Sequence, residues 1–352
     1  DIANADGRSR HAMIKLRADV VAGVVSTTVL CGAIGWIWWR EPQRLTDTQL
    51  VAAVTRDPKN AEAFTELANR QEHAKLYEAA MASYLGAGKA GMGANSYAKA
   101  ARCAIKAGKF EDARTHARDA VDMDAGSKVG TASTMAAAVF VELGDPRTAL
   151  SSLPDAKRSV PFETDAVRAK ALLALQRYPE ALEAAEAAVM EPTSGRMAVL
   201  VRILREVGDM EGAYEVVDAY GDSADAGMDW HFEAGLARTA HAAGNVKQRE
   251  QGEAALRKVI QDAEKPVLKL QAGVALGQSM LGSGRAGDAI PLLSGLVKQF
   301  PQSDEARYVL ACAQCEAGDL AAAGKALQQV ANRKSNAHAL RQRLDRRSQR
   351  FN

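Results

Sequence analysis

The chain has 352 residues, with 45 Lys plus Arg against 43 Asp plus Glu and a net charge of +2, so its overall balance gives no reason to expect a nucleic-acid partner. Aromatic residues are only 5% of a composition that is 47% hydrophobic and rich in Ala, which excludes a core built on large side chains and favours close helix-to-helix contact in an all-α protein. Four cysteines, at 31, 103, 312 and 315, are too few for a disulfide scaffold.

In chain order, residues 1–17 form a basic segment carrying Arg8, Arg10, Lys15 and Arg17. A transmembrane helix is predicted over 18–40. No charge occurs from Val20 to Trp39, and about twenty helical residues at 1.5 Å each span the roughly 30 Å of a bilayer's hydrocarbon core. Trp36, Trp38 and Trp39 mark one interface, followed by Arg40. The run is too long for a signal-peptide core, and Leu30 before Cys31 is not the small residue that a lipoprotein signal needs. The basic residues ahead of the span outnumber Arg40 and Arg44 behind it. That bias places the N-terminus in the cytoplasm and the remainder on the periplasmic side of the inner membrane; a cytoplasmic solenoid is the alternative. Gly23, Thr27, Cys31 and Gly35 recur every four residues as a small-residue stripe against which a partner helix could pack.

After a linker at 41–46, a first helix is expected from Asp47 to Thr55, stopped by Asp57-Pro58. A period then sets in. Turn positions fall at Lys75, Gly108, Gly144, Gln176, Gly208, Gly244, Gly284 and Gly318, separated by 33, 36, 32, 32, 36, 40 and 34 residues. Five residues after each turn stands alanine (80, 113, 149, 181, 213, 289 and 323), except for Arg249. Two residues after the turn, Tyr77, Phe110, Tyr178, Met210, Val246 and Leu320 are expected to fill the wedge between paired helices.

These residues resemble the tetratricopeptide repeat family. The clearest copies are Tyr97 to Asp124 and Leu276 to Pro301. The resemblance implies a TPR-like α-solenoid of about eight helix-turn-helix pairs over 47–335. Local irregularity is expected around Gly144, where the helices are short, and around Gly244, where Arg249 and an apparent insertion depart from the pattern. Residues 336–352 read as a basic capping helix and tail, with Arg341, Arg343, Arg346 and Arg347, or as a docking tail for anionic lipid or protein.

The sequence carries few chemical motifs. Gly282-Ser-Gly284-Arg-Ala-Gly287 matches a dinucleotide-binding pattern but coincides with a repeat turn and follows a helix. The six histidines form no metal-binding pair, and no nucleophile motif is present, so neither catalysis nor a cofactor is expected. Cys312 and Cys315 share one helix face; they read as small packing residues, with a redox pair or a metal site as alternatives.

In the family resembled, first helices line a peptide-binding groove. Six residues before each turn stand Asn69, Arg102, Ala138, Lys170, Arg202, Arg238, Gln278 and Cys312, and Arg205 and His241 extend the set. A positive groove for acidic protein segments follows. The family's carboxylate clamp is only partly matched: Asn69 fits, whereas Thr65 and Ala98 do not supply its lysines. The functional expectation is a non-enzymatic, membrane-anchored interaction scaffold, assembly factor or accessory subunit of a membrane complex. An extracytoplasmic chaperone or translocon-associated factor for unfolded clients is the alternative.

Overall fold

The structure is a computed structural model that describes residues 45–125, 129–154, 162–221, 226–242 and 244–330. The basic segment at 1–17, the span at 18–40 with Gly23, Thr27, Cys31 and Gly35, and the segment at 336–352 lie outside the described residues. Among those described, no helix is long and apolar enough to cross a membrane.

The described chain is helical throughout, without strands, and divides into two compact units, residues 1–207 and 208–352. The first unit contains α1 (Asp47–Arg56), α2 (Ala61–His73), α3 (Tyr77–Ala87), α4 (Ala94–Lys106), α5 (Phe110–Asp124), α6 (Thr131–Glu142), α7 (Pro146–Ser152), α8 (Glu163–Ala174), α9 (Tyr178–Ala188) and α10 (Ser194–Glu206). The second contains α11 (Met210–Tyr220), α12 (Met228–His241), α13 (Val246–Asp262), α14 (Pro266–Gly282), α15 (Ala286–Gln299), α16 (Asp304–Glu316) and α17 (Leu320–Gln328).

Helix starts are set locally. Thr46 caps α1 in a reciprocal box with Gln49, and Asn60, Asp145, Asp209, Ser303 and Asp319 each accept a backbone N–H three residues on. Helix stops follow the period read from sequence. All eight turn residues have left-handed φ, from 59° at Gln176 to 91° at Gly244. At six of the turns the N–H of the following residue reaches back five positions, as in Lys109 N to Ala104 O at 2.8 Å and Asp319 N to Gln314 O at 2.9 Å. This closure satisfies carbonyls that the helix end would otherwise leave unpaired.

Within each unit, reversing the chain lays the next helix on the previous one, and the alanine five residues on becomes the contact point. Ala80, Ala113, Ala149, Ala181, Ala213, Ala289 and Ala323 are all 0% exposed. In the first unit the core is mostly alanine, with Ala98, Ala101, Ala113, Ala117, Ala136 and Ala137 around Phe140. In the second it is leucine set against glycine: a Cβ on Gly273 or Gly277 would stand 2.4 Å from Leu296 or 2.7 Å from Leu293. Within each unit the first helices of successive pairs also touch, α4 to α6, α6 to α8 and α8 to α10 in one, α12 to α14 and α14 to α16 in the other. Each unit therefore has a face made of first helices.

One expectation changes, and the expected irregularity at Gly244 takes a definite form. The bulky residues two after each turn do not fill the wedge: Phe110 and Val246 are 58% and 54% exposed, and Tyr77, Tyr178, Met210 and Leu320 are only half-buried. Each is the first residue of its helix, so its side chain leans back over the open turn rather than into the pair. The irregularity at Gly244 is a change of register. Asn245 N bonds Ala242 O at 2.7 Å instead of reaching back five residues, and the buried face of α13 becomes Gln248, Gly252, Leu256 and Val259, leaving Arg249 half-exposed. The added length is absorbed by α13 and α14, each 17 residues long. Unforeseen was a π-helical turn, Gly88–Met92, that extends α3 and contains a kink at Gly91 with φ 114°. The short pair at Gly144 is as expected, α7 having 7 residues.

Candidate interaction site on the first-helix face

A polar cluster on this face joins α2 to α4. Glu72 lies three residues before the first turn, and Arg102 and Lys106 lie six and two before the second. One repeat of separation therefore brings them together: Glu72 Oε1 accepts from Arg102 Nη2 at 3.0 Å and from Lys106 Nζ at 2.9 Å. Tyr84 from α3 closes the cluster beneath, its hydroxyl 2.7 Å from Asn69 Oδ1 and 3.0 Å from Glu72 Oε2. Lys99 Nζ stands 5.4 Å over the Tyr84 ring and Lys106 Nζ 5.2 Å over that of Tyr77.

Burial works against the charge on Glu72, but the hydrogen bonds from Lys106 and Tyr84 and the nearby Arg102 outweigh it and hold the carboxyl down at about 2. Burial and the same carboxylate push the Tyr84 hydroxyl up, and the Cys103 thiol up to about 11. Neither is poised as a nucleophile at neutral pH. Side-chain exposures of 46% and 43% leave Arg102 and Lys106 reachable from solvent, while Glu72 is 19% exposed.

The remaining groove residues fall in different environments. Lys170 and Arg202 are exposed, Arg205 is half-buried, and all three belong to the first unit. In the second unit Arg238 is only 7% exposed, so it is withdrawn from solvent. His241 stacks on Tyr214, with ring centroids 4.3 Å apart and planes at 5°, and its Nε2 and Nδ1 lie 2.7 Å from Glu211 Oε2 and Gln248 Nε2. The Glu211 carboxylate and the Gln248 amide thus hold one ring nitrogen each.

Cys312 and Cys315 are free thiols on α16. Cys315 is buried with Ala311, Ala323 and Leu327, and burial, reinforced by Glu316 against a hydrogen bond with Tyr308, raises the thiol of Cys312. Gly282 to Gly287 is the α14 to α15 turn, with Gly284 at φ 73°. Among the described residues no group of three or more His, Cys, Asp and Glu side chains is arranged to hold a metal ion. The short α7 leaves a cleft of about 470 Å³ floored by Leu150, Leu172 and Ala184, but its arginines are committed, Arg168 to Asp165 and Arg177 to Glu180.

Sequence counting found Asn69 and Arg102 but missed Glu72, Lys106, Lys99 and Tyr84. A carboxylate three before one turn, facing cations six and two before the next, is the signal that would have found the first two.

A sequence profile described as tetratricopeptide repeat matches residues 280–344. No curated protein matches the chain. Among solved structures it is similar to a tetratricopeptide repeat protein from Parabacteroides merdae, with a TM-score of 0.51 and 14% identity over 65% of this chain and 91% of that one. It is also similar to the human IFIT1 dimer with m7Gppp-AAAA, with a TM-score of 0.50 and 14% identity over 81% of this chain and 67% of that one. At such identities the likeness concerns fold. With a tetratricopeptide repeat profile matched over residues 280–344, the left-handed turns with buried alanines behind them and the shared helix-pair architecture give the described residues the tetratricopeptide repeat fold.

Proposed function

We propose that the chain is a non-enzymatic scaffold or assembly factor that binds acidic protein segments on its first-helix faces. The observation that carries this reading is the grip of Arg102 and Lys106 on Glu72: the face already binds one carboxylate across two helix pairs, and both cations remain half-exposed. Lys170 and Arg202, exposed on later first helices of the same unit, extend the positive character along it. Guanidinium groups suit planar carboxylates, and a positive face speeds encounter with acidic partners.

In the same reading, residues 20–39 anchor the chain in the inner membrane with the repeats on the periplasmic side, and the stripe at Gly23, Thr27, Cys31 and Gly35 docks on a membrane protein complex. Tethering raises the effective concentration of the binding face at the membrane. The test is purification in mild detergent followed by mass spectrometry. A stoichiometric complex that is lost in an Arg102→Ala, Lys170→Ala, Arg202→Ala variant supports the proposal. Scattered clients retained by that variant would favour a chaperone instead. Protease protection of the repeats in spheroplasts checks the orientation.

A further inference from the structure

The cations at the α2 to α4 cluster exceed the charge that Glu72 cancels. Lys99, Arg102 and Lys106 are three and four residues apart, on one face of α4. Arg102 and Lys106 bond Glu72 directly, and Lys99 lies over the ring of the tyrosine whose hydroxyl bonds the same carboxylate. Lys109, the next cation along, is directed away to Glu78 at 3.1 Å. Three positive charges against one carboxylate leave the cluster with two in excess.

Resting on the acidic-ligand reading above, we infer that this cluster is a phosphoryl site, for a phosphoserine or phosphothreonine on a partner's segment, with Glu72 as a resident competitor that weakens single carboxylates more than a phosphate. A phosphorylated side chain carries about 1.5 to 2 negative charges at pH 7 and three strong acceptor oxygens. That matches the excess charge. It also matches the donors that remain: Arg102 spends one terminal nitrogen on Glu72 and keeps the rest of its fork, and the ammonium of Lys106 keeps further protons. An Asp or Glu side chain brings one charge and must lie beside the like charge of Glu72. It therefore gains less at the same place.

The experiment measures binding of the full chain in mild detergent to capped twelve-residue peptides that carry one phosphoserine, one Asp or one Ser at the same position. At pH 7.5 the phosphoserine peptide is expected to bind roughly tenfold tighter than the Asp peptide, and about threefold more weakly at pH 5.5, where the phosphate loses its second charge. Arg102→Ala and Lys106→Ala each lower that affinity, Arg102→Lys restores part of it, and Glu72→Gln tightens binding of the Asp peptide and narrows the gap. Far-UV circular dichroism confirms that the variants keep their helices. Equal binding of the Asp and phosphoserine peptides overturns the phosphoryl inference while leaving the acidic-ligand reading intact; binding of neither removes both. Capture of vesicles containing phosphatidic acid through Arg102 and Lys106, without phosphopeptide binding, would assign the cluster to lipid and overturn the inference.

Discussion

Gly252 on α13 lies against Gly235 on α12 so closely that a Cβ at residue 252 would stand 3.0 Å from the Gly235 carbonyl oxygen, 3.0 Å from the Cβ of Arg238 and 2.8 Å from Cγ2 of Thr239. In the other pairs an alanine is small enough for the crossing. Here the register change after Gly244 puts two glycines face to face, and backbone meets backbone.

Gly252→Ala is therefore expected to lower stability by about 1–3 kcal/mol, because neither a carbonyl nor a Cβ can rotate away. Gly324→Ala, also within a helix but with open space around the added methyl, should raise it by about 0.5–1 kcal/mol. Urea unfolding followed by circular dichroism separates the two, and a neutral Gly252→Ala would contradict the close crossing.

Two turn positions that glycine would suit carry side chains instead, Lys75 at φ 60° and Gln176 at φ 59°. The left-handed region costs a residue with a Cβ about 1–2 kcal/mol, part of which glycine gives back through its more flexible unfolded chain. Gln176→Gly should raise the melting midpoint, with a net gain of about 0.5–1 kcal/mol, and Gln176→Val should lower it.

Glu72 couples stability to acid. Its folded carboxyl titrates at about 2, below its ordinary 4.5. The stabilisation is therefore fully present above about pH 4.5 and is lost as pH falls towards 2. At 1.36 kcal/mol per unit the shift corresponds to roughly 3.4 kcal/mol, which partial solvent screening reduces to on the order of 2 kcal/mol. Glu72→Gln should be less stable at pH 7 yet show a shallower loss between pH 4.5 and 2.5. Parallel pH profiles for the two proteins would exclude the ion-pair account.

In the second unit the Glu253 side chain is 2% exposed and accepts from Ser279 Oγ at 3.0 Å and from Arg257 at 3.2 Å, with Arg285 also bonded. Burial opposes its ionisation, but the bonds from Arg285 and Ser279 hold its carboxyl below the ordinary range. Glu253→Ala strands those donors. The arginines are 46% and 35% exposed and recover water, so a loss of about 1–3 kcal/mol is expected rather than the larger cost of a fully buried orphan charge. A thermal melt of the variant checks it.

The positions of the turns and of the alanines behind them were legible in the sequence, because both are short-range requirements: a left-handed residue to close a helix end, and a small one where the returning helix crosses. Arg102 was legible for the same reason, by counting back from its turn. The cluster around Glu72 was not, because it joins residues 30 and 34 positions apart on separate helices, and which side chain wins a cation depends on where neighbouring helices place their ends. Arg238 shows the reverse. Counting put it in the groove, and packing of its pair left it 7% exposed. Local backbone geometry, which the sequence encodes residue by residue, thus determined the repeat. Only the packing of helix on helix, which sets burial and brings distant charges within 3 Å, decided which members of the basic row are open to a ligand.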